Sequence, residues 1–222
     1  ARALGQLTPP TTPSLRAPQV PMAAPQATRL HRVGLVTLMY AAEGLADSLR
    51  EASVFEQLLP LVIGAATGSV DPAVSVRSAA CMCLGEWCGH LQPDILAYHE
   101  TILPPVFQLL DAPAYAVRTS ACFVLERFCE SLDGETMAPY LSAIVGKLLV
   151  LAAPLPPAAP PSPPAGMAPS TQAEFLQKCA SAERLRQSRH VQEQVTALSA
   201  LSSTMMIDTA QYVPYFAPTV QV

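Results

Sequence analysis

One pattern of apolar and polar positions occurs twice in the middle of the chain. Residues 76–91 (VRSAACMCLGEWCGHL) align with residues 117–132 (VRTSACFVLERFCESL), 41 residues later, and seven of the sixteen positions are identical. In the first copy, small or apolar residues recur at steps of three and four, at positions 76, 79, 80, 83, 84, 87, 88 and 91. This spacing marks one face of a helix with 3.6 residues per turn. Each copy is therefore predicted to be an amphipathic α-helix.

The length of the repeat predicts the fold. Helix pairs that recur at this interval are typical of HEAT and armadillo solenoids. One pair cannot bury its own apolar face, so neighbouring pairs must stack, which produces a curved rod with a long concave side. We predict an all-α fold, an α-α superhelix (HEAT-repeat solenoid) of about four to five repeats. Because the chain starts at Ala1 and ends without a polar capping repeat, we expect a fragment of a longer array.

Other segments supply the remaining helices of the array. A helix is predicted from Arg29 to Leu49, and three similar segments, 55–67, 101–110 and 137–149, each carry proline near a helix start, where it is tolerated. We interpret these three as the first helix of each unit, and the two copies of the pattern as second helices.

The turns before the second helices contain an aspartate and a proline. We predict that Arg77 and Arg118 pair with Asp71 and Asp111 of these turns as a ladder along the rod. The alternative is that both arginines are solvated.

Two proline-rich stretches divide the chain. We predict a divergent segment over residues 1–28 that ends a preceding repeat, HEAT repeats over 29–152, a disordered Pro/Ala-rich insert over 153–170, and further repeat helices over 171–222.

Composition narrows the possible functions. Only 14% of residues are charged, the net charge is −4, and no basic block is present, so direct nucleic-acid binding is not predicted. The most apolar run, residues 148–153, is too short to cross a bilayer, so no membrane insertion is predicted.

Catalytic and metal-binding patterns are also missing from the sequence. The four histidines have no nucleophile or carboxylate at a motif spacing, so no enzyme activity, metal or cofactor is predicted. None of the six cysteines forms a C-x-x-C pair, and Cys83, Cys88 and Cys129 fall on the apolar face, so reduced, packed thiols are expected.

Several motifs resemble the central repeats of importin-β-superfamily nuclear transport receptors, in particular the importin-four and importin-five type. They occur in the same order and spacing, and cover residues 29–222 apart from the insert: YAAEGLAD (40–47), EQLLP (56–60), VRSAA (76–80), LQPDI (91–95), FVLERFCESL (123–132), ALSALSS (197–203) and YVPYF (212–216).

The resemblance implies a receptor in the cytoplasm, the nucleus and nuclear pores. It would bind basic protein cargo such as histones or ribosomal proteins, hold the phenylalanine-glycine repeats of nucleoporins, and release cargo to the GTP form of Ran. The family's main Ran contacts lie near the N-terminus of the full receptor, largely outside this chain. The alternative is a HEAT scaffold of another kind, such as the structural subunit of a phosphatase, which would not bind Ran.

Candidate binding residues follow from the predicted second helices, which generally line the concave side. Glu43, Asp47, Glu86, Glu126 and Glu130 lie off the apolar faces and form a sparse acidic track for a lysine-rich cargo, unless they are ordinary solvated surface. Trp87 is either an aromatic cargo anchor or, as its repeat equivalent Phe128 suggests, a core residue.

Grooves for nucleoporin repeats would form between neighbouring first helices. The candidates are Phe55, Leu58, Ile102 and Phe107, and the alternative is that they form the core between repeats.

Overall fold

The computed structural model describes residues 24–51, 54–156 and 158–221. All regular secondary structure in these ranges is helical. The elements are α1 (Ala24–Glu51), α2 (Val54–Thr67), α3 (Val74–His90), a 3-10 helix (Asp94–Tyr98), α4 (His99–Leu109), α5 (Tyr115–Cys129), α6 (Gly134–Ala152), α7 (Pro169–Ile207) and α8 (Thr209–Val220).

The helices form two layers. α1, α3, α5 and α7 pack on one another in that order and are called the second-helix layer, while α2, α4, α6 and α8 follow one another in the other layer. Within each unit, α2 packs on α3, α4 on α5 and α6 on α7. Alternating antiparallel pairs stacked in this way are the HEAT solenoid that the repeat predicted.

α3 and α5 lie side by side in the same direction. Near their N-terminal ends, the hydroxyl oxygens of Ser78 and Ser120 are 2.8 Å apart. Further along, Gly85 faces the ring of Phe123, which an added Cβ would approach to 2.5 Å. Because these contacts follow one another in the same order along both helices, the predicted side-by-side stacking of the two copies is confirmed.

The predicted apolar faces form the core. In α3 and the residue after it, seven of the eight stripe positions are buried and Ala79 is partly buried, and in the second copy all eight are buried. Five cysteines are fully buried, and burial raises the pKa of Cys81, Cys83, Cys122 and Cys129 to about 12. These thiols are protonated at neutral pH and pack as small apolar side chains.

The predicted aspartate–arginine ladder is wrong. Arg77 donates from Nε to the Ala66 carbonyl (3.1 Å), and Arg118 donates from Nη1 to the Ala112 carbonyl (2.7 Å). Ala66 lies in the last turn of α2, where helix carbonyls lack an intrahelical partner, and Ala112 lies in the turn between α4 and α5. Arg77 therefore closes α2, Arg118 holds the α4–α5 turn, and the aspartates bind elsewhere.

Asp71 connects its turn to α1. Its carboxylate accepts hydrogen bonds from the Ala73 amide (2.9 Å) and the Thr28 hydroxyl (2.9 Å), and it lies 3.1 Å from Nδ1 of His31. The Ala73 amide, followed by His31, lowers the pKa of Asp71. Asp71 thus stays ionised at neutral pH, and its contribution to stability is lost only as the pH falls through the lowered pKa.

Two boundaries differ in detail from the sequence prediction. α1 begins at Ala24, five residues before the predicted start, and residues 1–23 of the predicted proline-rich segment lie outside the described residues. The segment over residues 171–222, predicted as further repeat helices, starts two residues earlier with α7 (Pro169–Ile207), a single helix of 39 residues. The described residues between α6 and α7 have no regular secondary structure, and their predicted disorder stays a prediction.

One helix among the described residues, α6, is long and apolar enough to cross a membrane by length and composition alone. Its buried side chains, including Leu141, Ile144 and Leu148, pack in the repeat core. The apolar face of α6 is therefore used for packing on α7.

Candidate protein-interaction surface

The five acidic candidates lie on successive helices of the second-helix layer and are called the acidic row: Glu43 and Asp47 on α1, Glu86 on α3, Glu126 on α5 and Glu130 immediately after α5. Glu43, Asp47 and Glu130 are exposed, and Glu86 and Glu126 are partly buried. Each glutamate of α3 and α5 is next to a buried core residue, because the polar positions begin where the apolar stripe ends.

Most of the acidic row is contacted by the chain itself. The Asp47 carboxylate lies 2.8 Å from Nη1 of Arg50, and Glu126 accepts a hydrogen bond from the Ser199 hydroxyl (2.6 Å). Glu86 lies 3.5 Å from Nε2 of His90. Of these three partners only Arg50 is a permanent cation, so it alone offsets part of the negative charge of the row.

Arg127 is a cation within the acidic row that the sequence analysis did not identify. Its Nη1 lies 3.3 Å from Oε2 of Glu130, and its Nη2 lies 4.0 Å from Oε2 of Glu86. The signal was present in the repeat, since Arg127 occupies the position equivalent to Glu86. Parallel stacking of α3 and α5 brings the two opposite charges together.

Trp87 is not at an accessible surface. Its side chain is 0% exposed, and its indole Nε1 donates to the Leu38 carbonyl across the α1–α3 contact (3.2 Å). A residue buried in this way cannot contact a partner in this conformation. The structure thus corrects the cargo-anchor interpretation and agrees with the core alternative.

The four nucleoporin candidates divide into two buried and two partly exposed residues. Phe55 is 3% exposed and Ile102 is 0% exposed, so both are core residues, and Phe55 packs edge-on against Tyr98 at 5.6 Å between ring centroids. Leu58 and Phe107 are partly exposed. Only these two retain the accessibility that a groove would need.

A groove of about 600 Å³ lies in the second-helix layer near the N-terminal halves of α1 and α3. Its lining includes Arg32, Met39, Ser75 and Met82. Sequence reasoning missed it because the groove depends on the distance between helices, which no single segment encodes. Methionine side chains adapt to different apolar partners, so the groove extends the candidate surface beyond the acidic row.

Metal chemistry is not indicated in the described ranges, where no group of three or more histidine, cysteine, aspartate or glutamate residues is placed to hold an ion. The candidate surface consists of charged, hydroxyl and thioether groups, and these groups bind partners by contact and charge.

Comparison with known proteins defines the class. A HEAT repeat family model matches residues 102–132, which contain most of α4 and all of α5. Together with the stacked helix pairs, this match identifies a HEAT-repeat protein.

More specific similarities are with nuclear import proteins. Over 79 residues the chain is 30% identical to Importin-4 of Mus musculus, a match that covers 36% of this chain and 7% of that protein. The fold is similar to that of Kap121p bound to Pho4p, with a TM-score of 0.64 and 22% identity over 86% of this chain and 15% of that one. It is also similar to the karyopherin Kap121p bound to the SUMO protease Ulp1p, with a TM-score of 0.66 and 21% identity over 89% and 16% of the two chains.

The chain has the fold of HEAT-repeat karyopherins and is similar in sequence to an importin over about a third of its length, in agreement with the resemblance of its motifs. It spans only a small part of the length of the relatives it matches.

Proposed function

We propose that the chain is part of a nuclear import receptor whose second-helix layer binds basic protein cargo of the histone or ribosomal-protein type. The observation that carries the proposal is the acidic row, which runs across stacked helices of an importin-superfamily fold. Transport through nuclear pores, Ran-dependent release of cargo, and presence in both cytoplasm and nucleus belong to the same proposal.

The spacing of the acidic row suits an extended, lysine-rich segment. Axes of packed helices lie about 10 Å apart. Alternate side chains of an extended chain point to the same side about every 7 Å. A segment that crosses α1, α3 and α5 can therefore present a lysine to the carboxylates of each helix. Complementary charge of this kind speeds association and selects the partner.

The similar structures support a protein as the cargo. Kap121p is bound to Pho4p in one of them and to the SUMO protease Ulp1p in another. For nucleoporin repeats, we keep Leu58 on α2 and Phe107 on α4 as candidates, because their side chains are partly exposed.

Charge reversal tests the cargo site. We expect Glu86→Lys combined with Glu126→Lys to weaken binding of a lysine-rich peptide about 10- to 100-fold, because two attractive charges become repulsive. Fluorescence anisotropy at about 0.1 M salt measures this effect while screening is moderate.

The matched control is Glu174→Lys combined with Glu183→Lys, which makes the same change in net charge on the N-terminal part of α7. Its affinity should stay close to that of the unmodified chain. Unchanged affinity in the Glu86/Glu126 variant, with an unchanged melting temperature, would remove both residues from the site.

Ran binding separates a receptor from a HEAT scaffold. We expect the full-length protein to be retained by GTP-locked Ran more strongly than by GDP-bound Ran in a pull-down. A scaffold of the phosphatase type would show no preference for either nucleotide state.

A further inference from the structure

The guanidinium of Arg127 lies across the contact between α3 and α5. It approaches Glu130 (3.3 Å) and Glu86 (4.0 Å), and its Cζ lies 5.7 Å from the centre of the Phe123 ring. The guanidinium faces Gly89, where an added Cβ would contact it at an ordinary van der Waals distance of 3.8 Å. The arginine thus occupies the middle of the acidic row.

Arg127 is held loosely in this position. Charge-assisted N–H···O contacts are usually about 2.7–2.9 Å long, and both carboxylate contacts of Arg127 are longer. Its Nε is buried without a hydrogen-bond partner in the described part of the chain. The side chain is also 36% exposed, so water can solvate it and a cation of a partner can approach the same carboxylates. Exposed pairs of this type contribute little to folding, so breaking them costs little.

We propose that Arg127 competes with cargo from within the chain, because it occupies the position that a lysine or arginine of the cargo would take. This inference rests on the proposed function and adds a specificity-determining residue to it. A segment with a single cation gains little by displacing Arg127, because one favourable contact replaces another. A polybasic segment keeps contacts with Asp47 and Glu126 while it displaces Arg127, so the chain discriminates in favour of several closely spaced cations.

The test compares Arg127→Gln with the unmodified 222-residue chain. Two fluorescein-labelled peptides serve as probes, one rich in lysine and one with a single lysine in a glycine-serine background. We expect Arg127→Gln to bind both more tightly at about 0.05 M salt, by about three- to tenfold, and the gain to shrink at about 0.3 M salt. The relative gain should be larger for the single-lysine peptide, so the discrimination between the two peptides should fall.

Two further variants make the result specific. Arg29→Gln removes the same charge from an exposed residue of α1 that lies about 20 Å along the helix from Glu43, the nearest member of the acidic row, beyond the screening length, and should bind both peptides like the unmodified chain. Arg127→Lys keeps the charge and should retain most of the discrimination. Because Arg127 is partly exposed, all variants should melt like the unmodified chain.

The outcomes separate this inference from the proposed function. Arg127→Gln could bind both peptides like the unmodified chain while charge reversal at Glu86 and Glu126 weakens binding. In that case the proposed competition by Arg127 is wrong, and the proposed cargo site is retained. Weaker binding by Arg127→Gln would show that the arginine orients the carboxylates, and would also overturn the inference. If neither the unmodified chain nor Arg127→Gln binds either peptide, the proposed cargo site fails and the competition fails with it.

Discussion

Replacing Trp87 with alanine is expected to lower the free energy of unfolding by about 3–5 kcal/mol. The indole is 0% exposed and fills the contact between α1 and α3, so its removal leaves a cavity that the neighbouring helices cannot fully close. It also removes the indole hydrogen bond to the Leu38 carbonyl across this contact. Urea denaturation followed by far-UV circular dichroism measures the loss.

Two variants calibrate this result. Trp87→Phe keeps much of the ring volume but lacks the N–H, so its effect should be intermediate. Tyr40→Ala removes an aromatic side chain of α1 that is 64% exposed, and should change stability by less than about 1 kcal/mol. If Trp87→Ala instead lost affinity for a lysine-rich peptide at an unchanged melting temperature, the cargo-anchor interpretation would be correct.

The sequence was sufficient to predict the packing of α3 on α5. Helix periodicity identifies which residues face inward, and a second copy of the same face implies a neighbour with which to share it. The burial of Trp87 and Phe128 follows in the same way, since both occupy the same stripe position. The exact contact pairs do not follow from the repeat. Ser78 meets Ser120 although its repeat equivalent is Thr119. Gly85 meets Phe123 although its equivalent is Glu126.

The partners of the arginines were not predictable from the sequence. Arg77 and Arg118 bind main-chain carbonyls near helix ends, and every residue type offers the same carbonyl group. Arg118 also pairs with Glu193, which is 75 residues away in the sequence. The side-chain pattern therefore contains no signal for these contacts. The sequence prediction selected the nearby aspartates because a sequence gives the types of the side chains but not the positions of main-chain carbonyls.

The acidic row shows both the strength and the limit of sequence reasoning. Positions such as Glu86 and Glu126 were identified as lying beside the core, and the structure places them there. Their partners depend in part on the neighbouring helices, and the sequence analysis did not identify Arg127 as one of them. Comparing equivalent positions of adjacent repeats would have found it, because parallel stacking brings position-matched charges into contact.

The contact between Glu193 and Arg118 joins α7 to the rest of the solenoid. Glu193 is 6% exposed, and its carboxylate pairs with Nε of Arg118 and lies 3.1 Å from Nη2. The same arginine donates to the carbonyls of Ala112 (2.7 Å) and Pro113 (3.1 Å) in the turn before α5. One guanidinium thus connects the α4–α5 turn with a helix 75 residues further along the chain.

Glu193→Gln is therefore expected to lower the free energy of unfolding by about 2–4 kcal/mol, because it leaves a partly buried guanidinium without its counter-charge. The matched control is Glu183→Gln. It breaks the more exposed pair with Arg186, which lies earlier in the same helix, and should lower the free energy of unfolding by less than about 0.5 kcal/mol. In a double-mutant cycle, Arg118→Ala should remove most of the cost of Glu193→Gln, since the penalty comes from the charge that remains. Equal costs for Glu193→Gln in the presence and absence of Arg118 would mean that α7 is held by its apolar contacts with α5 and α6, and that this pair does not stabilise the junction.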